Sequence, residues 1–323
     1  MDGFTTTLAS HKKTVLQTAL LLISAIAAVV FAVTMNAHAQ TQPKTGLAVS
    51  PPTFELTANP GDTLKNSIRV DNIVDTPLEV TVDARNFTAL GEDGGVSLST
   101  DDDQYSLANW IKTTPSKIII PARESKTFDY TINVPKNATP GGRFGSIIFQ
   151  TASTAFGGQT GVAVSQEVGT LVFVKIAGTV VEKASIAGFN TAGMFNDQGP
   201  VNFDVRVKNE GNVHFKPTGT ITVSNFFGQT VATVPVNEQN VLPGAIRKMD
   251  ASWDSGWLFG RYNATLSLVY GKDQQVITAS TAFWGFPYKL IGIVIVALGL
   301  IGAFLYPRRA RIMRAFKILF GKE

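Results

Sequence analysis

The sequence predicts an all-β protein with two β-sandwiches in tandem, an N-terminal signal segment and one C-terminal transmembrane helix. Three observations predict this arrangement. Apolar and polar residues alternate between residues 46 and 283, one set of features occurs twice in that region, and an uncharged apolar segment lies near each end. At 323 residues the chain has room for about two ordinary domains.

Runs with a period of two residues fill the middle of the chain. Examples are SIRVDN, KTFDYTINV, TLVFVKIAG and ATLSLVY, which are rich in Val, Ile, Thr and Phe and are separated by Gly, Pro, Asn and Asp. Such runs are typical of short strands with one buried face, since successive side chains of a strand point to opposite sides. Many short strands with turn residues between them predict antiparallel, immunoglobulin-like β-sandwiches.

The same order of features occurs in both halves of this region. A strand that ends in Asn (IRVDN or VRVKN) is followed by a Pro-containing turn, and later by a Gly-Arg-aromatic step that opens another strand. An Asn after a strand is expected to close a turn, through its side chain or through a left-handed backbone. The repeat predicts sandwiches at residues 40–180 and 181–284, each with its own core. The matching positions are Asn72 and Asn209, Pro121 and Pro243, and the Arg-aromatic pairs at 143–144 and 261–262.

The N-terminal segment predicts export. HKKT is followed by the apolar run VLQTALLLISAIAAVVFAVTM and by NAHAQ, which offers an A-x-A cleavage site after Ala39. We therefore expect a signal peptide at residues 1–39. Because the apolar run is longer than the usual ~7–15 residues, an uncleaved signal anchor is the alternative.

The C-terminal segment predicts a membrane anchor. Residues 290–306 carry no charge, and with residues 286–288 they reach the ~20 residues that a bilayer core requires. Trp284 and Tyr288 are expected at one membrane interface, and Arg308 and Arg309 follow the segment on the other side. The predicted span is 286–306, with a basic cytoplasmic tail at 307–323 and the bulk of the chain outside the cytoplasm. The tail is either a plain stop-transfer signal or a short helix that lies on anionic lipid.

Charge and composition exclude several functions. The formal net charge is +4, but 9 of the 28 basic residues lie near the chain ends, which leaves 19 basic against 22 acidic residues in 40–288. A folded region with this balance lacks the basic surface that nucleic-acid binding requires. The absence of cysteine excludes disulfide bonds and thiolate metal sites.

No catalytic arrangement is recognisable. The exported region contains one histidine, His214, and no G-x-S-x-G elbow or phosphate-binding loop. We expect no enzyme, no cofactor, no resident metal and no small-molecule substrate. Two alternatives stay open: weak calcium binding by the acidic residues of GEDGGVSLSTDDDQY (Glu92, Asp93 and 101–103), and partner recognition by the loop of Asn209, Asn212 and His214.

Aromatic residues in loops are candidates for contact with a partner. Phe226 and Phe227 precede Gly228 in a hairpin-like turn, Trp257 lies in a loop between strands, and Trp253 of SWDSGWLFG is a further candidate. Exposed aromatic rings bind carbohydrate and protein surfaces well. The alternative is that these rings cap the ends of the sandwich core.

The sequence resembles the WxL-interacting protein family of Gram-positive surface proteins. Over residues 48–178 the resemblance rests on SPPTFELTANPGDTLKNSIRVDN and on WIKTTPSKIIIPARESKTFDYTINVPKNATPGGRFGSIIFQ, and elsewhere on the order of segments. The resemblance implies a signal peptide, two immunoglobulin-like domains, one C-terminal span and a basic tail. It also implies that the first domain contacts peptidoglycan and the second contacts other proteins.

The expected function is therefore adhesion or scaffolding by a membrane-anchored surface protein that contacts the cell wall or other proteins. One alternative is a periplasmic-chaperone-like or secretion-assembly factor that acts by edge-strand pairing. An envelope enzyme is the remaining possibility.

Overall fold

The computed structural model describes residues 46–151, 154–155 and 163–306. The predicted signal segment at 1–39 and the tail at 307–323, with Arg308 and Arg309, lie outside the described residues. The expected fold class is confirmed at the level of its sheets: the protein is mostly β, and four large sheets form two β-sandwiches.

The first sandwich has one sheet in the order β1-β3-β8-β6 and a second in the order β2-β12-β9-β4-β5, with β7 also paired to β4. Strands β10 and β11 pair with each other, and a short 3-10 helix spans Ala108–Trp110. The strands are β1 Leu47–Ser50, β2 Thr53–Ala58, β3 Thr63–Asn72, β4 Leu78–Leu90, β5 Gly95–Ser99, β6 Ile111–Thr113, β7 Lys117–Ile120, β8 Ser125–Asn133, β9 Gly141–Thr151, β10 Thr154–Ala155, β11 Ala163–Val164 and β12 Glu167–Ile176.

The second sandwich has one sheet in the order β13-β15-β18 and another in the order β14-β20-β19-β16-β17. A helix, α1, follows its last strand. The elements are β13 Ala184–Thr191, β14 Phe195–Asn196, β15 Val201–Asn209, β16 Thr218–Asn225, β17 Thr230–Pro235, β18 Ile246–Trp253, β19 Gly260–Tyr270, β20 Gln275–Gly285 and α1 Tyr288–Leu305.

Both sandwiches follow one strand plan. In each, the first strand (β1 or β13) is antiparallel within one sheet, and the next (β2 or β14) pairs in parallel with the last strand (β12 or β20) of the other sheet. The sequence predicted antiparallel pairing throughout. The two parallel pairs depart from this prediction, because the chain crosses between the sheets after the first strand and joins the second sheet along its edge.

Each sandwich has its own hydrophobic core. The first contains Ile68, Ile132 and Phe149, and the second contains Val205 and Phe283, all of them fully buried. These side chains alternate with outward-facing ones along their strands, as the period of two requires. Burial of apolar surface between facing sheets is what holds a cysteine-free sandwich together.

The repeated asparagines close turns through their side chains. Asn72 and Asn209 are buried at the ends of β3 and β15, and their Oδ1 atoms accept hydrogen bonds from the backbone N–H groups of Val74 (3.0 Å) and Gly211 (2.8 Å). Neither residue has a positive φ angle, so the left-handed alternative is wrong.

Helix α1 begins three residues after β20, within the predicted segment 286–306. Many of its apolar side chains are exposed, among them Ile293, Ile295 and Leu298. By length and apolar character together, no helix in the described ranges qualifies as a membrane span.

Candidate functional site

The second sandwich packs on the outer face of the β2-β12-β9-β4-β5 sheet. Phe87, Phe144 and Phe173 point away from the first core, and together with Leu242 of the second sandwich they form a separate buried cluster. Their rings contact one another at centroid distances of 5.2 to 5.9 Å. This part of the sheet therefore has apolar residues on both faces, because both faces are covered.

His214 fills the joint between the two sandwiches. Its ring lies edge-on to Phe144, with 5.5 Å between centroids, and 5.0 Å from Phe173. Its Nδ1 is buried and has no hydrogen-bond partner among the described residues. Burial lowers the pKa of His214 to about 4, with smaller effects from Glu55, which opposes the shift, and from two lysines. The ring is therefore neutral near pH 7.

Backbone hydrogen bonds fix the connection beside this histidine. The backbone carbonyl of Asn212 accepts a hydrogen bond from the N–H of Gly142 (2.8 Å), and the Oδ1 of its side chain accepts a hydrogen bond from the N–H of Val181 (2.9 Å). The N–H of Asn212 in turn donates to the carbonyl of Val181 (3.0 Å). Asn209, Asn212 and His214 thus form structural contacts within the protein, so the structure does not place them as an exposed recognition loop.

Two carboxylates of the first sandwich bind the second. Glu55 accepts hydrogen bonds from Asn240 Nδ2 (2.7 Å) and Lys216 Nζ (3.0 Å). Burial raises the pKa of Glu55, but these two donors and the Lys216 charge outweigh it, so the net shift is downward and Glu55 is ionised near neutral pH. Glu92 accepts two hydrogen bonds from Arg206, and its carbonyl accepts from the N–H of Lys248 (2.9 Å).

A crevice of about 330 Å³ lies between these contacts. Its apolar wall combines the outer face of the first sandwich's sheet with Leu242 and Ala245 of the second sandwich, and its polar rim contains Glu55, Lys216, Glu238 and Arg247. The Arg247 guanidinium occupies the space that a Cβ at Gly94 would take, and the φ of +95° at this position favours glycine over residues with a side chain. The wall residues are Phe87, Ala89, Val96, Leu171, Phe173, Leu242 and Ala245.

The crevice combines apolar surface with charged groups of both signs. Apolar walls with a few fixed polar groups are the usual composition of a binding site. No group of three or more His, Cys, Asp or Glu side chains suited to a metal ion occurs within the described residues. In the acidic segment, Glu92 pairs with Arg206, and Asp102 accepts hydrogen bonds from Asn86 and Asn109.

The aromatic residues singled out in the sequence lie elsewhere. Phe226, Phe227 and Trp257 are exposed at the end of the second sandwich from which α1 emerges, together with Trp284 and Tyr288. Strand register brings them there, since the end of β16 lies opposite the start of β19, and the start of β19 opposite the end of β20. The residues predicted as partner contacts thus share one surface with Trp284 and Tyr288, two of the four residues predicted as membrane-interface anchors.

Sequence reasoning missed the crevice. Its charged rim is formed by residues far apart in the chain, such as Glu55 and Lys216, and neither belongs to a recognisable motif. One signal was present: LVFV at 171–174 is continuously apolar rather than alternating, which indicates a strand buried on both faces.

Comparisons with known proteins give structural similarities alone. No protein-family model matches the chain, and no curated protein matches it. It is similar to the class 5 fimbriae chaperone CfaA, with 13% identity, coverage of 74% of this chain and 100% of that one, and a TM-score of 0.40. It is also similar to the YadV chaperone, with 10% identity, coverage of 74% of this chain and 100% of that one, and a TM-score of 0.36. For the E. coli chaperone DraB the identity is 14%, the coverage is 73% of this chain and 96% of that one, and the TM-score is 0.36. The resemblance to the WxL-interacting family stays a prediction.

Proposed function

We propose that this chain is a membrane-anchored, extracytoplasmic binding protein that holds a segment of another surface protein in the crevice between its sandwiches. The observation that carries the proposal is the crevice itself: both sandwiches form it, its wall is apolar, and its rim has charges of both signs. Its volume of about 330 Å³ lies within the ~300–1,000 Å³ range of ligand sites.

The joint around the crevice supports a preformed site. Contacts through Glu55, Glu92, Asn212 and His214 connect the two sandwiches on several sides. A site whose walls are fixed before binding loses less conformational entropy when a ligand enters. A polypeptide fits this chemistry better than glycan alone, because the wall offers apolar surface and the rim contains two carboxylates, Glu55 and Glu238, and two cations, Lys216 and Arg247.

A second candidate function rests on a strand edge. Strand β5 is the last strand of its sheet, and its residues Gly95 and Val96 line the crevice. An extended segment in the crevice has access to the unpaired edge of β5, where backbone hydrogen bonds would extend the sheet. This arrangement favours an assembly factor that acts by edge-strand pairing.

Localisation is part of the proposal. Export by residues 1–39, anchoring by 286–306 and a cytoplasmic tail that begins near Arg308 and Arg309 place the sandwiches outside the cytoplasm. The exposed apolar side chains of α1 support the anchor, because a helix that is apolar on all sides is stable only when it is covered.

Selection of peptides from a displayed library against the full chain in lipid nanodiscs tests the crevice. We expect selected peptides to lose at least tenfold in affinity for Ala89→Trp, which fills the crevice from an exposed position of β4. Ala187→Trp, at an exposed position outside the crevice, is the matched control and should bind normally. Equal affinity of the peptides for both variants would show that the crevice is not the binding site.

The same peptides separate the two candidate functions. N-methylation of a peptide's backbone blocks strand pairing at that residue but leaves its side-chain contacts. A loss of peptide affinity on N-methylation at every second residue would therefore favour edge-strand pairing. Binding of purified cell-wall sacculi that is unaffected by Ala89→Trp would instead favour a cell-wall ligand at another surface.

A further inference from the structure

An exposed apolar cluster surrounds the start of helix α1. Its members are large side chains between 46% and 72% exposed, and none of them belongs to a core. We refer to it as the basal cluster, which consists of Met194, Phe195, Phe226, Phe227, Trp257, Phe259, Trp284, Phe286 and Tyr288. Apolar patches of this kind on a folded domain mark surfaces that contact a partner or a membrane.

Strand register brings four separate segments together in this cluster. Phe195 in β14 lies beside Trp284 at the end of β20, and the N–H of Trp284 donates to the carbonyl of Met194 (2.8 Å). Phe226 lies next to Gly260, at the start of β19, and its ring is 3.7 Å from that of Phe227. The cluster is therefore one surface at the end of one sheet.

These rings do not serve as caps of the sandwich core. The core end is closed by Trp253, Tyr262 and Phe283, which contact one another at centroid distances of 5.4 to 6.5 Å. Along β20 the fully buried Phe283 is followed by Trp284, which is 47% exposed on the opposite face. The basal cluster is thus additional to the apolar surface that folding requires.

The geometry points to a lipid bilayer as the occupant of this surface, an inference that rests on the proposed anchoring by residues 286–306. Helix α1 starts inside the cluster at Tyr288, so a bilayer that receives the helix meets the other rings at the same level. Tryptophan and tyrosine are the residues that favour the membrane interface. The ion pair between Lys289 and Asp197 (2.7 Å) neutralises both charges and ties the start of the helix to the sandwich.

The segments at 194–195, 226–227 and 257–259 therefore insert into the boundary between headgroups and acyl chains, as the apolar faces of interfacial helices do. The second sandwich rests on the outer leaflet instead of standing away from it on a flexible stalk. The crevice, which is formed with the first sandwich, is then held at a fixed height above the membrane.

The lack of native cysteine allows a direct test by single-cysteine labelling. The full chain with Phe227→Cys, Trp257→Cys, Lys272→Cys or Val294→Cys carries an environment-sensitive dye and is reconstituted into protein-free vesicles of phosphatidylcholine and phosphatidylglycerol (3:1) with brominated acyl chains. Lys272 is an exposed control in the turn between β19 and β20, at the other end of the sandwich. Val294 reports on the helix.

We expect bromolipid to quench the dyes at 227, 257 and 294 at least twofold more than the dye at 272. Quenching at 294 with none at 227 and 257 would overturn lipid contact by the loops and leave the anchor intact. A chain that neither floats with vesicles nor shows quenching at 294 would overturn both the anchor and this inference. A protein partner for the basal cluster predicts no quenching at 227 or 257, because these vesicles contain no other protein.

Discussion

Asn72 and Asn209 occupy the same place in the two sandwiches and form matching hydrogen bonds. The Oδ1 of each asparagine accepts a hydrogen bond from the backbone N–H two residues later. The Nδ2 of each donates one hydrogen bond to the backbone carbonyl four residues later and another to a carbonyl near the proline of the following turn. The accepting carbonyls are those of Thr76, Ile120 and Pro121 for Asn72, and those of Val213 and Val241 for Asn209. One side chain thus joins three segments at the end of each sandwich.

Replacement of Asn209 by Ala should lower the free energy of unfolding by roughly 1–3 kcal/mol, because buried backbone groups lose their partners. Asn209→Gly should cost at least as much, since the native φ is not positive and glycine adds unfolded-state entropy. Denaturant unfolding of the full chain in detergent measures both. Asn202→Ala, at an exposed position of the same strand, is the control and should change stability by less than about 0.5 kcal/mol. A cost for Asn209→Ala no larger than that of the control would contradict the structural role.

The asparagine pair shows what the sequence could predict. Local features recur in the same order in both halves, so the matching positions and the tandem arrangement follow from the sequence alone, whereas the parallel strand pairs do not. The role of the side chain was open, because a left-handed backbone and a side-chain hydrogen bond produce the same residue preference.

Contacts between the sandwiches were beyond sequence reasoning. Glu55 and Lys216 are paired only because the second sandwich packs on the outer face of one particular sheet. Likewise Phe195 and Trp284 lie side by side through a parallel pairing that periodicity does not predict. The alternation of apolar and polar residues shows which face of a strand is buried, but it does not show which other element covers that face.

The first sandwich expressed alone as residues 40–180 should expose Phe87, Phe144 and Phe173, which the second sandwich covers in the intact chain. We expect it to unfold cooperatively, as a domain of this length commonly does, and also to bind a hydrophobic dye and self-associate. Calorimetry and light scattering measure the two properties. A fragment that is folded and fully monomeric at high concentration, with no dye binding, would contradict the importance of this cluster.

The His214 joint predicts a loss of stability in acid. Since its pKa falls from 6.5 in the unfolded chain to about 4 in the folded one, the unfolded state binds the additional proton between these values. The contribution is fully present above pH 6.5 and is lost as the pH falls towards 4. The whole shift corresponds to on the order of 3 kcal/mol.

Denaturant unfolding of the full chain between pH 4 and pH 7.5 measures this dependence. His214→Leu keeps the ring pocket apolar and removes the titrating group, so its stability should depend less on pH than that of the natural chain over the same range. The His214 charge also acts on the pKa of Glu55, but the remaining acidic groups titrate alike in both proteins, so the difference between the two curves reports on the histidine and its coupling to Glu55. Parallel curves would show that His214 is accessible to protons in the folded state.

Removal of residues 286–323 tests anchoring and the basal cluster together. If the signal segment is cleaved after Ala39, the truncated protein should leave the membrane and begin at Gln40. Release should be incomplete in the presence of vesicles, because Phe195, Phe226 and Phe227 remain exposed and still favour an interface. Replacement of Phe226 and Phe227 by Gln should then abolish the residual binding. The contrary outcome is retention of the truncated protein in the membrane fraction with an intact N-terminus on sequencing. That outcome would identify residues 1–39 as an uncleaved anchor, because they contain the long apolar segment that remains after the deletion.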